Sequence, residues 1–341
     1  MNHALKQAML KISFSYFILF LLFFSAWSAT AGAGPLICAN VMRPAFKVED
    51  KKVKFRETMD SLKVAAVQFP LAENNKPAAF YAKIENYLLE AHKNGAQLIV
   101  FPELITLELI DWTHDEKPQL QKIAAEFSPA YIEWLKGKAQ ELQVSILGGT
   151  TPKLRGQNLV NVAVLAFPDG RVFEQEKIYL TPDEKDWGWS PGEVLRLVNA
   201  PWGKTVITTC FDCEFPQISQ KLVPYKPEVI LVPSWTSSQS GYNRVDWSAR
   251  ARAIEHYAYV IKTGTVKDPT STQPHFGVAT MIGPQDKDFS DEIIEGKPNQ
   301  PQILYGTLDL KKLRDHRDDS GYNPSLEQTK RKAPFKVESP R

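Results

Sequence analysis

The chain alternates short, wholly apolar runs with longer stretches in which apolar positions recur every three or four residues. The first pattern predicts buried strands and the second predicts helices with one buried face. Val64-Ala65-Ala66-Val67-Gln68-Phe69 reads as a strand closed by Pro70, and Phe80, Ile84, Leu88 and Ala91 then share one helical face. Lys93-Asn94-Gly95 supplies a basic last turn and a glycine stop, after which Leu98-Ile99-Val100-Phe101 forms a second apolar strand. Strand, helix and strand make a βαβ unit with parallel pairing. A second helical stripe, Ile132, Leu135, Ala139 and Leu142, leads into Val144-Ser145-Ile146-Leu147-Gly148-Gly149 as the next strand.

After Asn158 the pattern changes to hairpins. Val162 to Phe167, the turn Pro168-Asp169-Gly170 and Arg171 to Lys177 predict one. Val194 to Val198 and Val206 to Cys210, around Pro201-Trp202-Gly203-Lys204, predict another. Between them, the acidic and tryptophan-rich segment from Thr181 to Trp189 reads as a long functional loop. Val229 to Val232 is a buried strand that exits at Pro233-Ser234-Trp235. Val245, Ala249, Ile254 and Tyr257 place a helix over residues 243–257, and three more strands follow, at Tyr259 to Thr263, Val278 to Ile282 and Ile303 to Leu308. The expected organisation is an α/β domain over residues 61–315. A linker or loosely packed arm over 32–60 precedes it, and a polar tail over 316–341, extended or packed on a partner subunit, follows.

The amino terminus stands apart. His3, Lys6 and Lys11 precede the apolar run Ile12 to Phe24, and the small residues Ser28 to Ala33 follow, so residues 1–31 read as a secretory signal cleaved near Ala31 or Ala33. Export to the periplasm or the cell exterior is expected; the alternative is an uncleaved anchor that keeps the protein at a membrane. Removing residues 1–31 takes away Lys6 and Lys11 and no carboxylate, so the formal charge goes from +2 to 0. A chain with that balance does not capture nucleic acid electrostatically. With 3 cysteines there is no disulfide framework, and the fold must rest on its apolar core.

Three of the predicted strands deliver Glu103, Lys177 and Cys210. A thiol needs a base and positive potential to react quickly at neutral pH. Glu103 can take the proton and Lys177 can supply the potential. When the sulfur attacks a carbonyl or nitrile carbon, the Lys177 ammonium and the Phe211 backbone N–H can meet the charge that grows on the substrate. Trp187, Trp189, Glu214 and Trp235 lie on the presumed rim and are candidates for a substrate-binding wall. Cys213 completes a Cys210-x-x-Cys213 spacing, open to a redox pair, half a zinc site or a core residue. The scattered histidines provide no second pair of zinc ligands, so neither a metal nor a cofactor is expected.

Phe101-Pro102-Glu103, Lys177-Ile178-Tyr179-Leu180-Thr181 and Cys210-Phe211-Asp212-Cys213-Glu214-Phe215-Pro216, in that order, resemble the Glu-Lys-Cys signature of the nitrilase superfamily of carbon-nitrogen hydrolases. Ser190-Pro191-Gly192-Glu193 and Arg250-Ala251-Arg252-Ala253-Ile254-Glu255 extend the resemblance, which covers residues 62–314 and is similar to bacterial amidohydrolases of uncertain substrate. It implies a four-layer α-β-β-α sandwich whose subunits pair into homodimers or larger assemblies. It also implies Glu103 as general base and then acid, Lys177 as stabiliser of the tetrahedral state, and Cys210 as the nucleophile of a thioester intermediate. Glu184 is the candidate for a second glutamate that family members place after the lysine. The implied substrate is a small amide. A nitrilase or an N-acyltransferase would use the same trio, and a non-catalytic binding protein with a Cys210–Cys213 disulfide is a further alternative.

Overall fold

Strands that are apolar on both faces must be covered on both sides, and that requirement sets the layering. The structure, a computed structural model, describes residues 46–51, 58–74, 76–289 and 292–331. The signal segment expected over 1–31 lies outside the described residues. The strands are β1 (Lys47–Lys51), β2 (Ser61–Leu71), β3 (Leu98–Val100), β4 (Ser145–Arg155), β5 (Asn158–Ala166), β6 (Val172–Glu176) and β7 (Val194–Ala200). They continue with β8 (Gly203–Ile207), β9 (Val229–Val232), β10 (Tyr259–Lys262), β11 (Gly264–Lys267), β12 (Thr280–Ile282), β13 (Ile293–Glu295) and β14 (Gln302–Asp309). The helices are α1 (Pro77–Lys93), α2 (Glu116–Lys122), α3 (Ser128–Leu142) and α4 (Pro182–Asp186), then α5 (Pro216–Leu222), α6 (Gln239–His256), α7 (Leu310–Arg317) and α8 (Pro324–Lys330).

Two sheets result. One runs β1-β7-β8-β9-β10-β12-β13; the other runs β11-β2-β3-β4-β5-β6, with β14 antiparallel to β2. Alternation along β2 shows how they stack. Leu62, Val64 and Ala66 point between the sheets and meet Ile207, Leu231 and Ile261, whereas Ala65, Val67 and Phe69 point outward onto Phe80, Ile84 and Leu88 of α1 and Leu135 of α3. On the far side Val206, Ile230 and Val260 turn outward onto Ile218 of α5 and Val245, Ala249 and Ala253 of α6. The order is therefore helix, sheet, sheet, helix, as the resemblance implies. Among the described residues no helix is long and apolar enough to cross a membrane.

Several expectations change. Residues 47–51, assigned to a loose arm, form edge strand β1, parallel to β7 with Lys47 opposite Val194. The polar tail begins as helix: Arg317 closes α7 and donates to the carbonyls of Lys226, His256 and Tyr257, so the segment is anchored on its own chain. β4 extends to Arg155 and forms a further hairpin with β5 that the apolar pattern missed, because Lys153 and Arg155 lie in its outer half. Thr181 to Trp189 is not one long loop. Thr181 and Glu184 cap each other's backbone N–H groups, which starts the short helix α4.

Candidate active site

Each reactive side chain leaves a strand end. β3 runs through Phe101 and Pro102 to Glu103, and the following Leu104 takes a left-handed φ of 52°. Its N–H donates to Thr150 Oγ1 at 2.9 Å. Gly149 makes this approach possible: it sits at an irregularity in β4 with φ +68°, and a Cβ there would collide with the Pro102 carbonyl oxygen. β6 ends at Glu176, and Lys177 N–H donates to the Asn161 carbonyl at 2.9 Å, which sets the lysine beside β5.

The thiol arrives differently from the sequence expectation. β8 stops at Ile207, and Cys210 opens a 3-10 turn over Cys210–Glu214. It adopts φ 47°, and its N–H donates to the Pro233 carbonyl at 3.0 Å. A non-glycine residue in the left-handed region is strained by about 1–3 kcal/mol, a cost found at functional sites where a side chain must be aimed. Here Cys210 reaches a cavity of about 440 Å³ that Glu103 and Lys177 also line.

The three groups meet, and Glu184 joins them. Lys177 Nζ lies 2.8 Å from Glu103 Oε1 and 2.7 Å from Glu184 Oε2, with all three side chains buried. Cys210 Sγ lies 3.5 Å from the Trp235 carbonyl oxygen and lines the same cavity as the Glu103 carboxylate. Trp235 N–H donates to Glu103 Oε2 at 3.0 Å, so one residue's backbone touches both the thiol and the carboxylate.

Burial pushes the Glu103 carboxyl up, and the Lys177 ammonium opposes it. Burial also pushes the Cys210 thiol well up, helped by Glu103 and opposed by Lys177. Glu184 goes the other way: burial acts against ionisation, but the Lys177 ammonium and donors from Lys177, Asn161 and Thr181 hold it below the usual range. Burial likewise works against a charged Lys177, yet Glu103 and Glu184 raise it well above the ordinary lysine value. The resting site therefore holds an ammonium, an ionised Glu184, and a thiol beside a carboxylate of raised proton affinity. The raised affinity of Glu103 lowers the free energy of taking the sulfur's proton relative to an ordinary carboxylate, while burial of the thiol works against the transfer.

Phe211, Glu214, Trp187 and Trp235 line the same cavity. Glu214 is half-buried and pairs with Arg244 at 3.2 Å. Trp189 does not reach the cavity; it packs in an apolar cluster with Leu104, Leu120 and Leu180. Cys210 and Cys213 are both free thiols, and Cys213 is buried with Ile218, Val245 and Ala249, which matches its reading as a core residue.

Three contributors were missed. Asn161 Nδ2 donates to Glu103 Oε1 at 3.1 Å and to Glu184 Oε1 at 2.8 Å, bridging the two carboxylates. An asparagine inside the apolar run Leu159 to Ala163 was the available signal. Asp212 accepts from the N–H groups of Ile178 at 3.1 Å and Tyr179 at 2.7 Å, which ties the segment after Lys177 to the turn that bears Cys210. His275 stacks on Trp235 at 5.2 Å between ring centroids and contacts Thr265 Oγ1 at 3.1 Å; nothing in its sequence context marked it.

Residues 63–318 match the family model described as carbon-nitrogen hydrolase. The probable hydrolase YhcX of Bacillus subtilis is 28% identical over 266 residues, which is 76% of this chain but 52% of that protein, so the chain spans about half of that relative's length. The omega-amidase NIT2 of Danio rerio is 23% identical over 268 residues, covering 76% of this chain and 92% of that protein. Among solved structures, the nitrilase-superfamily protein Nit3 of Saccharomyces cerevisiae superposes with a TM-score of 0.66 at 20% identity, covering 79% of this chain and 97% of its own. The protein XC1258 of Xanthomonas campestris gives a TM-score of 0.65 at 20% identity, covering 82% and 100%.

Proposed function

The chain belongs to the carbon-nitrogen hydrolase family, and from that premise we propose that it hydrolyses a small amide through a thioester on Cys210. The observation that carries the proposal is Lys177 held between Glu103 and Glu184 at 2.8 and 2.7 Å, with the Cys210 thiol in the same cavity and Trp235 touching both thiol and Glu103 through its backbone.

In the first half-reaction the thiol proton moves to Glu103 as sulfur bonds to the amide carbon. The charge that develops on the carbonyl oxygen falls to the Lys177 ammonium and the Phe211 N–H, in a buried setting where each donor counts for more than it would in water. Glu103 then gives its proton to the departing nitrogen, the C–N bond breaks and an acyl thioester remains. Water enters, passes a proton to Glu103 and adds to the thioester carbon. Collapse breaks the C–S bond and returns the proton to sulfur. Glu184 keeps Lys177 charged and in place throughout, and Asn161 fixes both glutamates. The omega-amidase and hydrolase relatives support an amide as the substrate. The apolar segment over residues 12–24 supports action outside the cytoplasm.

Ammonia release from a panel of amides, ureas, carbamates and nitriles tests the proposal. Turnover of amides that is lost in Cys210→Ala is the expected result. Amide turnover that survives this substitution contradicts it.

A further inference from the structure

Above the reacting groups the cavity changes character. Trp187 and Trp235 face it with ring centroids 6.5 Å apart. Trp112 packs against both, at 5.9 and 6.2 Å, so the two rings are held from behind. Beside them α4 presents Asp183 and Asp186, exposed at the mouth and in no ion pair among the described residues. Glu214 stands in the same lining, with Arg244 bound to it at 3.2 Å. The outer cavity thus offers three carboxylates against one guanidinium, and that guanidinium is already engaged by one of the three. The inner cavity adds no positive excess, since Lys177 stands between two glutamates.

We infer that the substrate carries a positive charge at the end remote from its amide, a deepening of the hydrolase reading above that rests on it. Fixed indole faces attract a cation through their ring quadrupole, and Trp is the strongest of the side chains that do so. Asp183 and Asp186 add direct charge attraction at the mouth. A neutral chain would gain only apolar contact. An anionic chain would find only Arg244, whose charge Glu214 already offsets through the Nε contact, and would stand against Asp183 and Asp186. The substrate class is a straight-chain ω-amino amide, split by water into the ω-amino acid and ammonia. The amide carbon lies at Cys210 and the ammonium sits between the two tryptophans and α4.

The test compares kcat/KM of the purified full-length chain on three amides of equal chain length: 6-aminohexanamide, hexanamide and the monoamide of adipic acid. The expected order is ammonium over neutral by at least tenfold, with the carboxylate slowest and the ammonium advantage shrinking as salt is added. In the paired variant Asp183→Asn/Asp186→Asn, which keeps side-chain shape, the ratio of ammonium to neutral substrate drops by at least fivefold. Circular dichroism checks that this variant is folded, and inhibition of hexanamide turnover by hexylammonium, weakened in the same variant, gives an independent readout. Equal turnover of the three amides, preference for the carboxylate, or a ratio that survives the paired variant overturns the inference while leaving the hydrolase reading intact. Turnover that persists in Cys210→Ala, or a wild-type chain inert on all three and on the broader amide panel, overturns the hydrolase reading and this inference with it.

Discussion

Asn161 and His275 show how single side chains hold the reactive geometry without being reactive themselves. Asn161 is buried on β5 and its amide spans Glu103 and Glu184. Removing it leaves two buried carboxylates short of a donor, a loss of about 1–3 kcal/mol. Asn161→Ala should therefore lower kcat roughly 10- to 100-fold in steady-state kinetics; an unchanged kcat would mean that Lys177, Trp235 and Thr181 order the carboxylates without it. His275 acts through Trp235, whose backbone contacts both Glu103 and the thiol. Burial lowers the pKa of this histidine to about 4, so the ring that stacks at neutral pH is uncharged. His275→Ala should reduce kcat about tenfold, whereas His275→Phe, which keeps a flat ring against Trp235, should retain most of it. Equal losses in the two variants would show that the stack has no positioning role. At this scale Glu103 and Cys210 were legible because each follows an apolar run that fixes where it emerges, and Lys177 because it ends the second strand of a hairpin marked by its turn. His275 was not, because its partner Trp235 is 40 residues away and stacking leaves no periodic trace.

The turn Cys210–Glu214 and the segment after β6 form one clamped unit. Asp212 holds the N–H groups of Ile178 and Tyr179, and the ring of Tyr179 stacks on Phe215 at 3.6 Å. Burial pushes the Asp212 carboxyl up to about 7, although those two N–H groups pull it down. A carboxyl whose pKa is higher in the folded state than in the unfolded chain contributes stability that is complete below its unfolded value, near 4, and is lost as pH rises through about 7. The difference in melting temperature between wild type and Asp212→Asn should therefore shrink or reverse from pH 5 to pH 8 by the equivalent of up to about 3 kcal/mol. A pH-independent difference would contradict the assignment. The strand bodies β6 and β8 were readable here, and the short helices α4 and α5 and the joints were not. Capping by Thr181 and Glu184, the left-handed Cys210 and the clamp by Asp212 depend on contacts between segments, and such contacts override local pattern.

At the scale of the molecule, the site straddles the interface between the sheets. Glu103 and Lys177 leave one sheet, while Cys210 and Trp235 leave the other, so the chemistry depends on how the inner faces pack. Leu231 is fully buried in that layer, and Leu231→Ala should cost about 2–5 kcal/mol. Loss of activity on heating should track loss of secondary structure in this variant, because the sheets cannot part without separating thiol from carboxylate. Activity lost well before unfolding would point to a separate local unit around the site. The α/β organisation was legible because apolar strands and striped helices alternate along the chain, whereas the four-layer stacking was implied by the resemblance to the nitrilase superfamily. β1, at the edge and made of Lys47-Val48-Glu49-Asp50-Lys51, was hidden by its charge.

The most direct measurement is intact-mass and peptide-mapping analysis of the enzyme quenched in acid during turnover of an amide. The account predicts an acyl group, the substrate less ammonia, on the peptide that contains Cys210 and absent in Cys210→Ala. Ammonia release with no acylated intermediate in either protein, or an acyl group on another residue, would contradict it.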